Sequence, residues 1–133
     1  MSNKDIIRVR DVMKKNFSIV DGMLTVSDAL HEMRNVDTKC LVVNKRSGDD
    51  EYGLVLISDI AKQVLAKDRA PERVNIYEIM SKPVMTIDPQ MDIRYCARLF
   101  ENFNLSRSPV VEDGLVIGIV SFTDMVLKGL ITN

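Results

Sequence analysis

The order of apolar and polar positions along the chain predicts short strands and helices. Residues 26–35 have a helical period after the capping-box sequence Thr25–Asp28. The apolar face of this helix consists of Val26, Ala29, Leu30 and Met33. Two continuous apolar runs of strand length follow, Cys40–Val43 and Gly53–Ile57, on either side of the polar loop Asn44–Glu51. With an extended piece before it and a helix after it, this half predicts the order strand, helix, strand, strand, helix.

The second half of the chain repeats this order, and its extended piece, Pro83–Ile87, matches Phe17–Val20 in the first half. Its helix face consists of Ile93, Cys96, Ala97 and Phe100, each 67 residues after its counterpart in the first half. Gly118–Asp124 likewise repeats Gly53–Asp59, with a glycine six residues before an aspartate in both. An internal duplication of this length predicts two similar units packed by pseudo-twofold symmetry. One small sheet with two helices buries too little apolar surface to be stable alone.

The repeat also predicts where the chain divides. Lys67–Arg73 is the most polar stretch and contains a proline, so we interpret it as the linker. Residues 1–66 then form the first repeat with an N-terminal lead-in, residues 67–73 the linker and residues 74–133 the second repeat. The expected fold class is α+β, with two tandem β-α-β-β-α units.

Composition and charge narrow the function classes. The chain has 133 residues, 46% of them apolar, and a net charge of −1, so nothing global attracts nucleic acid. Lys14-Lys15 and Lys45-Arg46 are short solvated charges, too few for a nucleic-acid track. No apolar run approaches the roughly 18 residues of a membrane span, and the N-terminus lacks the apolar core of a signal peptide. We expect a cytoplasmic protein without a membrane partner.

The residues that most often perform catalysis are scarce. His31 is the only histidine, and Cys40 and Cys96 lack the spacing of metal ligands. Both cysteines are expected to pack as small apolar side chains. We therefore expect neither a metal site nor a nucleophile–base pair, and hence no enzyme activity.

Gly118–Asp124 is the strongest candidate site. It predicts a strand that runs into a helix, with Asp124 at the N-cap and with Ser121 and Thr123 adding two hydroxyls. A helix N-terminus exposes unpaired N–H groups and a positive dipole, which suit a phosphate. The alternative is structural. Asp124 and Asp59 would then be plain helix caps, and Ser121 a small residue that allows close packing.

The duplicated pattern resembles the cystathionine-beta-synthase (CBS) domain pair, or Bateman module, over about residues 8–130. Both repeats contain three markers: an opening segment that ends in Met, a Val-Val strand and a Gly–Asp segment. The markers are Asp11–Met13 and Glu78–Met80, Leu41–Val43 and Pro109–Val111, and Gly53–Asp59 and Gly118–Asp124. The resemblance implies a regulatory module that binds an adenosine-containing ligand in clefts between the repeats. It also implies homodimers of pairs.

The resemblance also implies roles for particular residues. Asp124 would accept hydrogen bonds from ribose hydroxyls, Ser121 and Thr123 would hold phosphate, and Arg107 would add a phosphate contact. A plain surface charge is the alternative for Arg107. The adenine slot would be lined by Met85, Thr86, Ile87 and Pro109.

The first repeat departs from the family pattern. Leu56 stands where the second repeat has the hydroxyl of Ser121, although Asp59, Ser58 and Lys39 are present. Loss of one hydrogen bond to a charged oxygen costs about 1–2 kcal/mol. We therefore expect the site of the first repeat to be the weaker one.

The sequence thus predicts a non-catalytic module that senses AMP, ADP or ATP as a regulatory ligand, with S-adenosylmethionine left open. It would signal by changing how its dimer or an effector protein packs. The alternative is a dimeric interaction scaffold with degenerate sites that binds no small ligand.

Overall fold

The computed structural model describes residues 5–131, so the first four residues of the predicted lead-in and the last two of the second repeat lie outside it. The described residues form short strands and helices. In chain order they are α1 (Val9–Val12), β1 (Ile19–Val20), α2 (Val26–Glu32), β2 (Cys40–Val43), β3 (Gly53–Leu56), α3 (Ile57–Ile60), α4 (Ile93–Asn102), β4 (Arg107–Glu112), β5 (Leu115–Ser121) and α5 (Phe122–Gly129). A π-helical turn, Ala61–Leu65, extends α3. Short 3-10 turns lie at Val36–Thr38, Pro71–Arg73 and Ile76–Glu78.

The chain divides into two compact units that differ from the sequence repeats. One, the inner unit, is the continuous stretch Asn16–Val84. The other, the outer unit, combines Met1–Lys15 with Met85–Asn133, so inner and outer refer here to position along the sequence. Each unit therefore contains the opening segment of the other sequence repeat. The bounds predicted for the repeats and the linker describe the sequence and stay a prediction.

The inner unit is built on a three-stranded sheet in the order β1-β2-β3. β1 runs parallel to β2, and β2 pairs antiparallel with β3, with Cys40 opposite Leu56 and Val43 opposite Gly53. Every residue of β2 is buried, which explains its continuous apolar sequence. The helix predicted over residues 26–35 is shorter than expected, because α2 ends at Glu32 and a 3-10 turn follows.

The outer unit has a two-stranded antiparallel sheet, β4-β5, beside α1, α4 and α5. The extended piece predicted at residues 83–87 forms no strand. Its only bridge within the described residues is from Ile87 to Val110, since Pro83 has no N–H and the turn at Asp88-Pro89 follows at once. The core of this unit includes Val9, Val12, Ile87, Cys96, Phe100 and Val120.

An opening segment lies against the edge of the sheet in each unit. The N–H of Lys14 donates to the carbonyl of Ile119 at 2.8 Å, and the N–H of Ile119 donates to the carbonyl of Lys14 at 2.9 Å. Ser81 and Leu54 exchange the same pair of bonds in the inner unit, at 2.9 and 3.0 Å. The duplicated Met and Gly markers of the sequence lie at these two places.

The glycine markers make this close approach possible. A Cβ added at Gly118 would lie 2.7 Å from the carbonyl oxygen of Lys14 and 2.8 Å from the sulfur of Met13. At Gly53 it would lie 2.9 Å from the sulfur of Met80 and 3.2 Å from the carbonyl oxygen of Ser81. A side chain at either position would push the opening segment away from its strand.

An acidic side chain closes the hairpin loop between β2 and β3. The Asp50 carboxylate meets the Lys82 ammonium at 2.7 Å and the Arg46 guanidinium at 3.2 Å. The Lys82 contact, followed by the backbone N–H groups of Arg46 and Glu51, holds the pKa of Asp50 well below its usual range. Asp50 therefore ties the loop to the segment that follows the linker.

We expect Gly118→Ala to lower the free energy of unfolding by about 1–3 kcal/mol, because the new methyl group overlaps the Lys14 carbonyl. Urea denaturation measures this. Gly48→Ala is the matched control, since a Cβ at Gly48 meets nothing within 4 Å. Equal stabilities of the two variants would contradict the role assigned to Gly118.

We expect Asp50→Asn to lower the melting temperature at neutral pH and to matter less in acid. The folded chain keeps Asp50 ionised at pH values where the unfolded chain protonates it. Its contribution is therefore complete above about pH 5 and is lost as the pH falls further. Thermal unfolding from neutral to acid pH tests this, with the exposed neighbour Asp49→Asn as control. A difference between wild type and Asp50→Asn that does not change with pH would argue against it.

Candidate functional site

The junction of β5 and α5 is capped by Ser121. Its Oγ accepts a hydrogen bond from the N–H of Asp124 at 3.2 Å and donates one to Asp124 Oδ2 at 2.9 Å. The N-cap expected at Asp124 is therefore wrong, because α5 begins at Phe122 and Asp124 is its third residue. Ser121, the last residue of the strand, already has the extended backbone that a cap requires.

The Asp124 carboxylate is buried and surrounded by basic groups. The residue is 2% exposed. Its Oδ1 forms an ion pair with the Lys14 ammonium and lies 3.8 Å from the Lys128 ammonium. A buried charge is tolerated only when it is paired and hydrogen-bonded, and here both conditions hold.

Lys14 is the residue that sequence reasoning missed. It was expected to be a solvated charge, yet its side chain is only 28% exposed and its ammonium lies on Asp124. The backbone bonds to Ile119 place it there. The one signal in the sequence was its position directly after the Met13 marker. That position indicates a site residue only once the backbone pairing of Lys14 with Ile119, 105 residues along the chain, is known.

The residues expected to line an adenine slot lie beside β4. The N–H of Ile87 donates to the carbonyl of Pro109 at 2.9 Å, and the Ser108 hydroxyl donates to the carbonyl of Met85. Thr86 is exposed and Met85 is half-buried, whereas the Ile87 side chain belongs to the hydrophobic core. At this place the chain therefore presents Thr86, Met85 and backbone rather than the side chain of Ile87.

Arg107 and Thr123 are the remaining residues predicted for the nucleotide site that contains Asp124. Arg107 begins β4, directly opposite Ser121 in the strand register, and is half-buried. Thr123 is exposed in the first turn of α5. All the residues proposed for this site belong to the outer unit, and Lys14 joins them there.

The residues predicted for the weaker site, Asp59, Ser58 and Lys39, belong to the inner unit. Their chemistry differs from that around Asp124. The Asp59 carboxylate accepts a hydrogen bond from the N–H of Leu56 at 2.9 Å, so it caps α3 directly. Asp59 is half-buried, and Ser58 is exposed. Lys39 is exposed and has a left-handed backbone, with a φ of 58°, and its carbonyl accepts from the N–H of Ile57. No hydroxyl lies at the cap, because Leu56 occupies it.

The two sets therefore have unequal electrostatics. In the outer unit, two lysines meet one carboxylate at the N-terminal end of α5, and Arg107 lies across the strand pair. The two ammonium groups against one carboxylate leave a local surplus of positive charge, which favours an anionic group. Burial raises the pKa of the Cys96 thiol to about 11, so this cysteine stays protonated and packs as an apolar residue, as expected.

Residues 5–131 contain no group of three or more His, Cys, Asp or Glu side chains that could hold a metal ion. In the same part of the chain, no helix has the length and apolar character needed to cross a membrane.

The family comparison matches both repeats. The CBS domain model matches residues 9–66 and 76–130. The chain belongs to the CBS domain family. The predicted fold class, α+β with two tandem CBS repeats, is thereby confirmed, and the resemblance inferred from the duplicated markers is correct.

Other proteins are similar to this chain at moderate identity. An uncharacterized protein of Methanocaldococcus jannaschii is 28% identical over 116 residues, which are 86% of this chain and 62% of that protein. The chain thus spans less than two thirds of that relative's length. The hexameric CBS-CP12 protein from bloom-forming cyanobacteria has a TM-score of 0.87 and 32% identity, covering 92% of this chain and 71% of that one.

One solved relative contains adenosine-type ligands. It is a CBS domain pair in complex with 5′-methylthioadenosine and S-adenosyl-L-methionine. Its TM-score is 0.75 and its identity 25%, covering 91% of this chain and 94% of that one. Adenosine compounds are therefore ligands of a protein similar to this chain.

Proposed function

We propose that this chain is a non-catalytic regulatory CBS pair that binds an adenosine-containing ligand in the outer unit. The observation that supports this most directly is the buried Asp124 carboxylate, held at the start of α5 by Ser121 and Lys14. A carboxylate fixed in this way can accept hydrogen bonds from two ribose hydroxyls. The adenosine ligands of the solved relative agree with this assignment.

The proposed binding mode assigns a role to each neighbouring group. Asp124 binds the ribose, and the backbone of Met85 and Thr86 borders the adenine. Lys14, Arg107 and the first turn of α5 bind the phosphate, with Thr123 at the exposed side. When the ligand enters, the Lys14 ammonium exchanges part of its contact with Asp124 for a phosphate oxygen. AMP, ADP or ATP suits this basic surrounding better than the sulfonium of S-adenosylmethionine.

The proposed output is a change in packing. A ligand that binds one arrangement of the protein more tightly shifts the population toward it, and a partner that prefers that arrangement reads the change. The partner is an effector protein. Buried thiols and a nucleotide ligand suit the cytoplasm, which is where we place the chain.

A second candidate function is a dimeric scaffold that binds no small ligand. The specific observation in its favour is that Asp124 already has a complete set of partners within the chain. The absence of a hydroxyl at Leu56 likewise favours the scaffold for the inner unit.

We further propose that the outer face of α5 forms a homodimer contact. Val126 and Leu127 of α5 and its C-cap residue, Leu130, are exposed there, Leu127 at 56% and Leu130 at 75%. Apolar side chains that adjoin on one helix face indicate an interaction surface. A second copy of the chain is the occupant that the hexameric CBS-CP12 relative suggests.

For the ligand, we expect isothermal titration with AMP, ADP and ATP to give binding that Asp124→Asn weakens by at least about tenfold, the effect of losing about 1.4 kcal/mol. Asp59→Asn is the matched control and should change affinity less than about twofold. Equal effects of the two variants would disprove the ranking of the sites.

The same variants distinguish the scaffold from the sensor. A ligand that binds only the folded state must raise the melting temperature. If AMP, ADP, ATP and S-adenosylmethionine all leave the melting temperature and the calorimetric heat of the wild type unchanged, the scaffold is correct. Lys14→Met, which keeps Asp124 chemically intact, should weaken nucleotides more than adenosine if Lys14 binds phosphate.

For the dimer, we expect Leu130→Glu to convert the chain to a monomer in size-exclusion chromatography with light scattering, because a carboxylate at a dry contact is costly. Val36→Glu is the control, since Val36 is similarly exposed, at 65%, but lies in the inner unit. Identical masses for both variants and the wild type would exclude this face as the contact.

A further inference from the structure

The inner unit contains a cavity of about 740 Å³ beyond the end of β2. Val43 and Asn44, where the strand ends, form part of its wall. Lys39, Ser58 and Asp59 are at the opposite end of the same strand pair, because Cys40 pairs with Leu56 there. The cavity is therefore separate from the weaker of the two proposed nucleotide sites.

Backbone hydrogen bonds connect the segments that line this cavity. Tyr77 donates its N–H to the carbonyl of Gly22 at 2.9 Å, and Ser81 donates to Leu54 at 2.9 Å. The first bond fixes the segment that bears Tyr77 and Lys82 against the turn after β1, and the second fixes it against β3. A Cβ at Gly22 would lie 3.2 Å from Val43 Cγ1, so glycine permits this close approach.

The lining combines apolar surface with a few charges. Met23 is 66% exposed and Tyr77 is 50% exposed, and Met80 and Pro83 also border the cavity. Clefts of about 300–1,000 Å³ with apolar and aromatic walls and a few polar groups are typical of small-molecule sites. The size and the lining of this cavity both agree with that class.

The two basic groups of the lining share a single carboxylate partner. Lys82 and Arg46 both contact Asp50, at 2.7 and 3.2 Å. The two lining carboxylates, Asp21 and Glu51, form no ion pair with any residue in the described range 5–131. Neither carboxylate has an ion-pair partner, although Asp21 Oδ1 accepts a hydrogen bond from the N–H of Met23 at 2.8 Å. With Asp50, three carboxylates stand against two basic groups at the cavity, so a ligand meets a net negative charge and the Tyr77 ring.

We propose that this cavity binds a small organic cation, with one ammonium group on an aromatic or apolar body. The ammonium group would lie between Glu51, Asp21 and the Tyr77 ring, since carboxylates and the faces of aromatic rings both attract cations. The body would cover Met23 and Met80. The inference does not depend on the proposed nucleotide site.

The test uses three probes of similar shape and different charge: 2-phenylethylamine, 2-phenylethanol and 3-phenylpropionate. The full chain, labelled with ¹⁵N, is titrated with each probe near neutral pH and followed by NMR. We expect the amine to shift the amides of Gly22, Met23 and Tyr77. It should bind about two- to fivefold more tightly than the alcohol, the range for one exposed charge contact. The carboxylate probe should bind most weakly.

Two variants with a matched control locate the effect. Glu51→Gln should reduce the amine's advantage over the alcohol without abolishing it, because Asp21 and the Tyr77 ring remain, and it should leave the alcohol's affinity unchanged. Glu72→Gln, a change at an exposed glutamate outside the cavity, should alter neither affinity. Tyr77→Ala should weaken the amine and the alcohol together. Equal affinities for the three probes, a preference for the carboxylate, shifts outside the cavity or no binding would each overturn the proposal.

Discussion

The close approach of an opening segment to the edge of each sheet is the constraint on which the rest of the structure depends. It requires a strand residue without a side chain, which is why glycine stands at Gly53 and Gly118. In the outer unit the same approach fixes the backbone of Lys14 against Ile119. The lysine side chain then reaches the start of α5, where it neutralises Asp124. In the outer unit, the backbone pairing of Lys14 with Ile119 therefore determines both the packing of the opening segment and the charge beside Asp124.

Ser121 has a structural role and a role in the candidate site, which the sequence offered as alternatives. As the N-cap of α5 it satisfies the N–H of Asp124, and as a donor it orients the Asp124 carboxylate. A capping serine followed three residues later by an acidic residue is a common way to begin a helix. Here the same arrangement also fixes a buried carboxylate in one orientation. The structural and functional interpretations are thus two consequences of one set of hydrogen bonds.

The difference between the two repeats follows from the residue at this capping position, which is Leu56 in the first repeat and Ser121 in the second. Leu56 has no hydroxyl, so Asp59 turns back to the N–H of Leu56 and remains half-buried. No lysine comes to it from the opening segment, because the residue after Met80 is Ser81. The inner unit differs again at the other end of β2, where the longer hairpin loop and its Asp50 contacts border a cavity. Duplication therefore left two units with different surface chemistry on similar frameworks.

Local pattern was sufficient for most of the fold. The period of the apolar positions placed α4, β2 and the start of α2 correctly, and the duplicated markers identified the family, because burial and turn chemistry act over a few neighbouring residues. Two features needed the tertiary structure. The extended piece before Ile87 forms a single bridge rather than a strand, and α5 begins at Phe122 rather than at Asp124.

The candidate site also contains residues that the sequence could predict and one that it could not. Asp124, Ser121 and Arg107 could be chosen from the sequence, since strand register and helix start bring them together within a short stretch. Lys14 could not, because it is 110 residues away from Asp124 and belongs to the other sequence repeat. Only the exchange of opening segments between the compact units brings its charge to the carboxylate. The sequence alone determined which groups are available, and long-range backbone pairing decided which of them meet.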